Sequence, residues 1–299
     1  MAPTVVVALD GSTAAETALP FAIGLAKRRS AELMLTSVVA VTGEFATWLS
    51  TGGDDRHGEI GVWVEDRRTY LKSLIDSLPE ANAHAHVSVG RPTNMLVEFI
   101  DTIEQPIVVL ASHGREQPES GAVGRHTLRL LHLLAAPVVV IKSTADGGMP
   151  ENGAITRVLV PLDGSDPSVH ALDSALEILG DPAPSVHLVS VIEHSGSTSG
   201  FNPRTTSDEF VQSTRDAHAE RLDTHARALT ERGHVTTWEV RAGDPEVEIV
   251  TAATDSNASM IAMATHGHTG SMHALLGSVA EGVLHQCRHP LLLIRPDDV

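Results

Sequence analysis

Short runs of aliphatic and β-branched residues alternate along this chain with longer segments in which apolar residues recur at helical spacing. Val5 to Leu9 is the first run, and it stops at Asp10-Gly-Ser. Ala14 to Arg29 follows, with Ala15, Ala18, Leu19, Ala22, Leu25 and Ala26 on one face. That predicts a single helix capped by Ser12 or Thr13. Leu33 to Val39 predicts a second strand, Thr42 to His57 a polar loop, Ile60 to Leu78 a long helix and His84 to Val89 a third strand. Gly90-Arg-Pro92 then turns the chain into a helix through Ile103, with Pro92 in the first turn, where its missing amide hydrogen costs nothing. Ile107 to Ala111 reads as a fourth strand, Thr127 to Leu134 as part of a last helix and Val138 to Ile141 as a fifth strand. Strand and helix in alternation predict a parallel sheet covered by helices.

The same pattern is then written a second time. Asp10 and Asp163, Val38 and Val191, Gly90 and Gly243, Pro92 and Pro245, Gly114 and Gly267, Gly124 and Gly277, and Pro137 and Pro290 are each 153 positions apart. Solenoid repeats run about 20 to 50 residues, so a period this long makes each copy a whole domain with its own core. Strands are expected at Val158 to Leu162, Val186 to Val191, Val235 to Val240, Met260 to Ala264 and Leu291 to Ile294. Ser143 to Gly153, rich in glycine and short of apolar residues, is the expected link between domains 1–145 and 154–299. The fold class is therefore α/β: two tandem doubly wound domains, each a five-stranded parallel sheet flanked by helices.

Composition narrows the partners. A formal charge of −17, from 21 basic and 38 acidic residues, repels nucleic acid and anionic membrane surfaces, and neither is expected to bind. No apolar run approaches the roughly 18 to 20 residues of a membrane helix, and Met1-Ala-Pro-Thr lacks the regions of a signal peptide, so a cytoplasmic location is expected. One cysteine, Cys287, makes no intrachain disulfide and fits a reducing compartment. A small anionic ligand stays open, because backbone amides at a helix N-terminus bind phosphate without net positive charge.

Open parallel sheets bind ligands beyond the carboxyl ends of their strands, where strand order reverses. The repeated polar and glycine landmarks fall there: Asp163-Gly-Ser after the first strand of the second copy, Thr265-His-Gly-His-Thr-Gly270 after its fourth, and Gly277-Ser278 at the start of its last helix. If the first and fourth strands are neighbours, these share one crevice. Gly267, Gly270 and Gly277 let the backbone approach phosphates, and the Gly277-Ser278 amides favour an anion. Asp163 suits a ribose hydroxyl or an adenine amine, and Val191 an apolar face for a base. Taken singly, a strand-end Asp-Gly is more often a turn and a glycine more often conformational. Their recurrence and convergence point to a nucleotide.

With these residues in view, each half resembles a universal stress protein domain over essentially its whole length. The resemblance is carried by Val158-Leu-Val-Pro-Leu-Asp-Gly-Ser165, by Ala264-Thr-His-Gly-His-Thr-Gly-Ser-Met-His-Ala-Leu-Leu-Gly-Ser-Val-Ala-Glu281, and by the terminal strand His289-Pro-Leu-Leu-Leu-Ile294. It implies a Rossmann-like fold of the adenine nucleotide alpha hydrolase-like type. ATP-binding members of that family carry Gly, two residues, Gly, nine residues, then Gly with Ser or Thr. Gly267, Gly277 and Ser278 match, and Ala264 stands at the first glycine position. The resemblance implies Asp163 and Val191 on the adenosine, and Gly267, Gly277, Ser278 and Val279 on the phosphates, with Thr265 and Gly270 in the same segment. The implied ligand is ATP, or its products ADP or AMP, with Mg2+ accompanying the phosphates.

The first copy carries Asp10, Val38, Gly114 and Gly124 at the matching positions, but Arg125 replaces the hydroxyl residue, and Pro118 and Glu119 enter the loop. Arg125 offers a charge-assisted phosphate contact instead. Nucleotide is therefore expected first in the second half. The fifth strands, Pro137-Val-Val-Val-Ile and Pro290-Leu-Leu-Leu-Ile, are apolar edges that would aggregate if bare. The resemblance implies that they pair in a dimer-like way between the two halves, with a homodimer as a further assembly.

Catalytic signatures are thin: no Gly-x-x-x-x-Gly-Lys loop, no Gly-x-Ser-x-Gly elbow, no His-Glu-x-x-His. Among the 17 histidines, His84 and His86, and His266 and His268 with nearby His273, lack the carboxylate or thiolate partners of a metal site. His266 and His268 flank the phosphate segment, where partial protonation would assist an anion. The expected function is a nucleotide-binding regulatory protein of the stress response, with slow turnover at most, whose occupied state changes segments 42–57 and 193–207. The alternatives are a slow ATPase or adenylyl-transferring enzyme on the same fold, and a nucleotide-free interaction scaffold.

Overall fold

The first β-branched run forms β1 (Thr4–Ala8), whose Val5, Val6 and Val7 are wholly buried. That is the signature of a central parallel strand with both faces covered. The structure, a computed structural model, describes residues 3–41, 57–78, 82–113, 123–142, 154–193, 208–266 and 276–296, and only the backbone of 57–59 and 208–211. It divides into two units, Met1–Ala154 and Ile155–Val299. The expected loop at 42–56 and the link at 143–153 lie outside the described residues.

In the first unit β1 is followed by α1 (Thr13–Glu16), α2 (Leu19–Arg29), β2 (Glu32–Ala40), α3 (His57–Asp76), β3 (Ala83–Gly90), α4 (Pro92–Ile100), β4 (Pro106–Ala111), α5 (Arg125–Leu133) and β5 (Val138–Ile141). The strands lie in the order β3-β2-β1-β4-β5 and every described pairing is parallel. Val5 lies opposite Leu33 on one side and Ile107 on the other, so strand order reverses between β1 and β4. That reversal opens the crevice in which an α/β sheet takes its ligand.

The second unit repeats the plan with β6 (Arg157–Pro161), α6 (Asp166–Leu179), β7 (Ser185–Glu193), α7 (Asp208–Glu231), β8 (Thr236–Gly243), α8 (Pro245–Asp255), β9 (Met260–Ala264), α9 (Ser278–Gln286) and β10 (Leu291–Ile294). Its order is β8-β7-β6-β9-β10, again parallel throughout. Among the described residues no helix is long and apolar enough to cross a membrane.

One expected helix is two. The segment from Ala14 to Arg29 breaks between Glu16 and Leu19, because Pro20 in the first turn of α2 has no amide hydrogen and its ring clashes with the carbonyl one turn back. Thr17 closes the end of α1, its amide and its Oγ1 both donating to the Ala14 carbonyl, Oγ1 at 2.7 Å. The second copy has its proline, Pro167, in the first turn, and α6 runs unbroken. Helix α4 stops at Ile100 rather than Ile103, closed by a turn in which Thr102 Oγ1 donates to Phe99 O at 2.6 Å. Strand β8 reaches Gly243, past the expected Val240, and pairs with β7 along its full length.

Candidate functional site

Each unit ends its first strand in the same turn. Asp10 Oδ1 accepts from Ser12 N at 2.9 Å and from Ser12 Oγ at 2.5 Å, and Asp163 Oδ1 accepts from Ser165 N and Oγ at the same two distances. The serine then caps the next helix, Ser12 Oγ accepting from Ala15 N and Ser165 Oγ from Ser168 N. Gly11 and Gly164, at φ +82° and +85°, occupy a left-handed conformation that a side chain would strain. In both aspartates Oδ1 thus holds the turn that carries the carboxylate to the crevice rim.

Long-range bonds fix that rim. Ser37 Oγ on β2 donates to Leu9 O at 2.6 Å, and Ser190 Oγ on β7 donates to Leu162 O at 2.7 Å. The long helix after the second strand adds an arginine in each unit. Arg67 Nη1 donates to Asp10 O at 2.8 Å, and the guanidinium of Arg221 packs over Gly164, where a built Cβ would fall 2.7 Å from it. Tyr70, one turn from Arg67, donates to Glu16 Oε1 at 2.9 Å, and burial first, then that carboxylate, raises its pKa.

Between β1 and β4 of the first unit lies a cavity of about 1100 Å3. Asp10, Val38, Arg67 and Tyr70 line it from one side, and His113, Gly124 and Arg125 from the other. Ligand clefts run roughly 300 to 1,000 Å3, so the space accommodates a nucleotide-sized molecule with room at its mouth. Trp63 also lines it while 44% exposed, a large apolar surface left at the opening. Carboxylates at Asp10 and Asp66 and cations at Arg67 and Arg125 share the lining, so it presents both acceptors and an anion-favouring side.

The anion-favouring side is built on a close approach. Gly124 is the N-cap of α5 and Gly277 of α9, both extended and neither with a side chain to cap its helix. Gly124 N donates to Ser112 O at 2.8 Å and Gly277 N to Thr265 O at 2.7 Å, fastening each helix start to the end of the fourth strand. A Cβ would lie 3.2 Å from Ser112 O at Gly124 and 3.1 Å from Thr265 O at Gly277, tight enough to favour glycine. Both helix N-termini offer backbone amides and the positive end of the dipole.

The expected residues meet this geometry in different ways. Asp10, Val38, Gly124 and Arg125 converge on the first-unit cavity, Arg125 from the first, exposed position of α5. In the second unit Asp163 is exposed after β6, Val191 is half-buried on β7, and Ser278 and Val279 open α9. Thr265 is buried, with Oγ1 3.0 Å from His266 Nδ1. Gly114, Gly267, Gly270, Pro118, Glu119, His268 and His273 lie outside the described residues. Burial, with Arg295 nearby, lowers the His266 pKa, which works against the partial protonation expected of it. His113 is depressed in the same way, by burial and by Lys142.

Sequence reasoning passed over Arg67, Tyr70, Arg221 and the hydrogen bond between Ser190 Oγ and His218 Nδ1 at 2.8 Å. The helices that carry three of them look like ordinary polar surface. Ser37 and Ser190 did carry a signal, since they keep the 153-residue spacing of the other landmarks.

Comparison with known proteins bears on both halves. The model of the universal stress protein family matches residues 1–142 and again 154–295. Universal stress protein Rv2005c of Mycobacterium tuberculosis is 28% identical over 308 aligned residues, covering 97% of this chain and 96% of its own. Universal stress protein MJ0531 of Methanocaldococcus jannaschii is 29% identical over 163 residues, 54% of this chain and 94% of its own. Among solved structures, a universal stress protein from Archaeoglobus fulgidus superposes with TM-score 0.71 at 19% identity, covering 100% of this chain and 98% of that one.

Proposed function

This chain belongs to the universal stress protein family in both halves, and from that premise we propose that it is an adenine-nucleotide-binding regulatory protein of the stress response. ATP is the ligand the reading favours, with ADP and AMP as its hydrolysed forms and Mg2+ carried on the phosphates. The observation behind it is the cavity of about 1100 Å3 at the β1/β4 reversal, which gathers Asp10 from the turn after β1, Val38 from β2, and Gly124 and Arg125 from the start of α5. Asp10 and Val38 would take the adenosine. Gly124, the α5 amides and Arg125 would take the phosphates, Arg125 supplying by charge what a hydroxyl supplies elsewhere in the family. Asp163, Val191, Gly277, Ser278 and Val279 would form the matching site of the second half.

The reading is of a switch, not an efficient enzyme. Binding to one conformation shifts the population toward it, and the occupied state would present a changed surface to partners. It includes pairing of the halves through their apolar fifth strands and leaves a homodimer as a further level of assembly. A cytoplasmic location follows as part of the same proposal.

The test is to purify the chain without added nucleotide, denature it, and identify what is released by chromatography and mass spectrometry. ATP, ADP or AMP is expected. No released nucleotide, together with no binding at millimolar ATP (a free energy weaker than about −4 kcal/mol), overturns the reading in favour of an interaction scaffold. Steady ATP turnover that persists through purification and is lost in Asp10→Ala and Asp163→Ala variants would instead make the protein an enzyme.

A further inference from the structure

One residue lining the first-unit cavity carries a polar atom with no bond to any of the described residues. His113 is only 7% exposed, lines the cavity, and has its Nε2 buried with no hydrogen-bond partner among the described residues. A buried donor left unmade costs on the order of 1 to 3 kcal/mol, so native structures seldom keep one without a reason. The ring is not loosely placed. Ser112 Oγ lies 2.9 Å from His113 Nδ1, Ser112 N is tied into the sheet at 2.7 Å from Ile141 O, and Ser112 O receives the Gly124 amide. The backbone at His113 therefore abuts the start of α5, with its Cα 3.8 Å from where a Gly124 Cβ would be. When the serine hydroxyl donates to Nδ1, the proton of the neutral ring resides on Nε2, which is then a fixed donor.

The second unit repeats the arrangement with a different hydroxyl. Thr265 Oγ1 lies 3.0 Å from His266 Nδ1, and His266 Nε2 is again buried and unpartnered among the described residues. Each imidazole stands beside a cation, Lys142 or Arg295. A hydroxyl, an imidazole and an orphaned Nε2 have thus been kept through duplication, with the histidine backbone packed against the start of the helix in both copies.

We propose that His113 is a phosphate-reading residue of the first-half cavity: its Nε2–H, oriented by Ser112, donates to a phosphate oxygen of the bound nucleotide, and His266 on Thr265 does the same in the second half. The inference rests on the nucleotide reading above and deepens it. A neutral donor suits this place, since it pairs with an anion without requiring a second charge to be buried. The α5 amides and the imidazole then hold the phosphate from two directions, and the adenosine end of the ligand has no contact with His113.

The experiment is calorimetric titration of the full chain with ATP and, separately, with adenosine. The proteins are the wild type, His113→Leu, His266→Leu, the double variant, and His113→Gln, whose amide nitrogen reaches the position of Nε2. Each leucine variant is expected to lose about tenfold in ATP affinity at its own site, the scale of one hydrogen bond to a charged group, with adenosine unchanged. The glutamine variant is expected to recover most of the loss, and unchanged adenosine affinity shows that the site has folded. A wild type that binds neither ligand overturns the nucleotide reading and the contact together. A wild type that binds both, with leucine variants that hold ATP as tightly or lose ATP and adenosine equally, overturns the contact alone.

Discussion

Arg67 and Asp10 lie 57 positions apart in sequence, yet Arg67 Nη1 donates to the Asp10 carbonyl at 2.8 Å, so α3 holds the turn that follows β1. The bond makes the crevice rim depend on a helix with no role in the sheet itself. Its guanidinium also sits 5.9 Å from the Tyr70 ring centre, and Tyr70 in turn reaches Glu16, the last residue of α1.

Replacing Arg67 with alanine should release that turn. A hydrogen bond from a charged donor is worth about 1.5 kcal/mol when partly buried, so the urea midpoint should fall accordingly. Nucleotide retained through purification should fall with it. Retention equal to wild type would show that the turn holds its shape without α3.

Gly164→Ala tests the left-handed turn. The Arg221 guanidinium, the end of a flexible side chain, can swing away from the new methyl group, so the remaining cost is backbone strain of about 1 kcal/mol. Thermal melting should show it, and the matching change at Gly11 should behave alike because its φ is nearly the same.

Gly124→Asp separates stability from binding. Aspartate is a good N-cap, so the gain in capping offsets the crowding against Ser112 O and stability should stay within about 1 kcal/mol of wild type. A carboxylate placed where the α5 amides would meet phosphate should abolish ATP binding in the first half. Adenosine binding should fall much less.

Arg241 is 15% exposed and forms ion pairs with Glu239 at 2.9 Å, with Asp255 at 2.7 Å and with Glu248 at 3.6 Å, while His187 Nε2 reaches Glu239 at 3.2 Å. Truncating it to alanine leaves two or more carboxylates facing one another. The second unit should lose about 2 kcal/mol, less than the full cost of a deeply buried pair because Asp255 is exposed. A double variant with Asp255→Ala should recover part of the loss.

Acid should destabilise the fold before carboxylates are protonated. Burial lowers the pKa of His86, His113, His218, His266 and His289. Each therefore binds a proton more weakly folded than unfolded, where the value is about 6.5. Below that pH the unfolded chain carries more protons, so stability is full above it and is lost as pH falls through it. Urea midpoints should drop between about pH 7.5 and 5.5, and His289→Gln should flatten the decline.

The centre of each sheet was legible because strands such as β1, β5, β9 and β10 are buried on both faces and so read as unbroken aliphatic runs; Val138 to Ile141, Met260 to Ala264 and Leu291 to Ile294 begin and end where expected. Ser12 was likewise visible as a cap. Pro20 was equally plain but was outweighed by the helical spacing around it, although a proline at that depth ends a helix whatever its neighbours prefer. The rest of the site came from distance. Nothing in the sequence near Arg67, Tyr70 or His218 indicates which turn or strand each will meet, because those contacts exist only once β2 and the helix after it have folded back onto β1. The orphaned nitrogen of His113 was invisible for the same reason: an unmade bond has no pattern in a sequence.

Strand β4 pairs with β1 across everything that lies between them, so Asp10 and Gly124, 114 positions apart, meet only after most of the first unit has been made. A ribosome synthesising this protein from its N-terminus exposes no complete crevice until α5 has emerged. Only β5 is then needed to complete the first half, while β6 to β10 are still to come. On the proposed nucleotide reading, ligand would reach the leading half while the trailing half is still being translated, so the order of the two copies in the chain becomes an order of maturation.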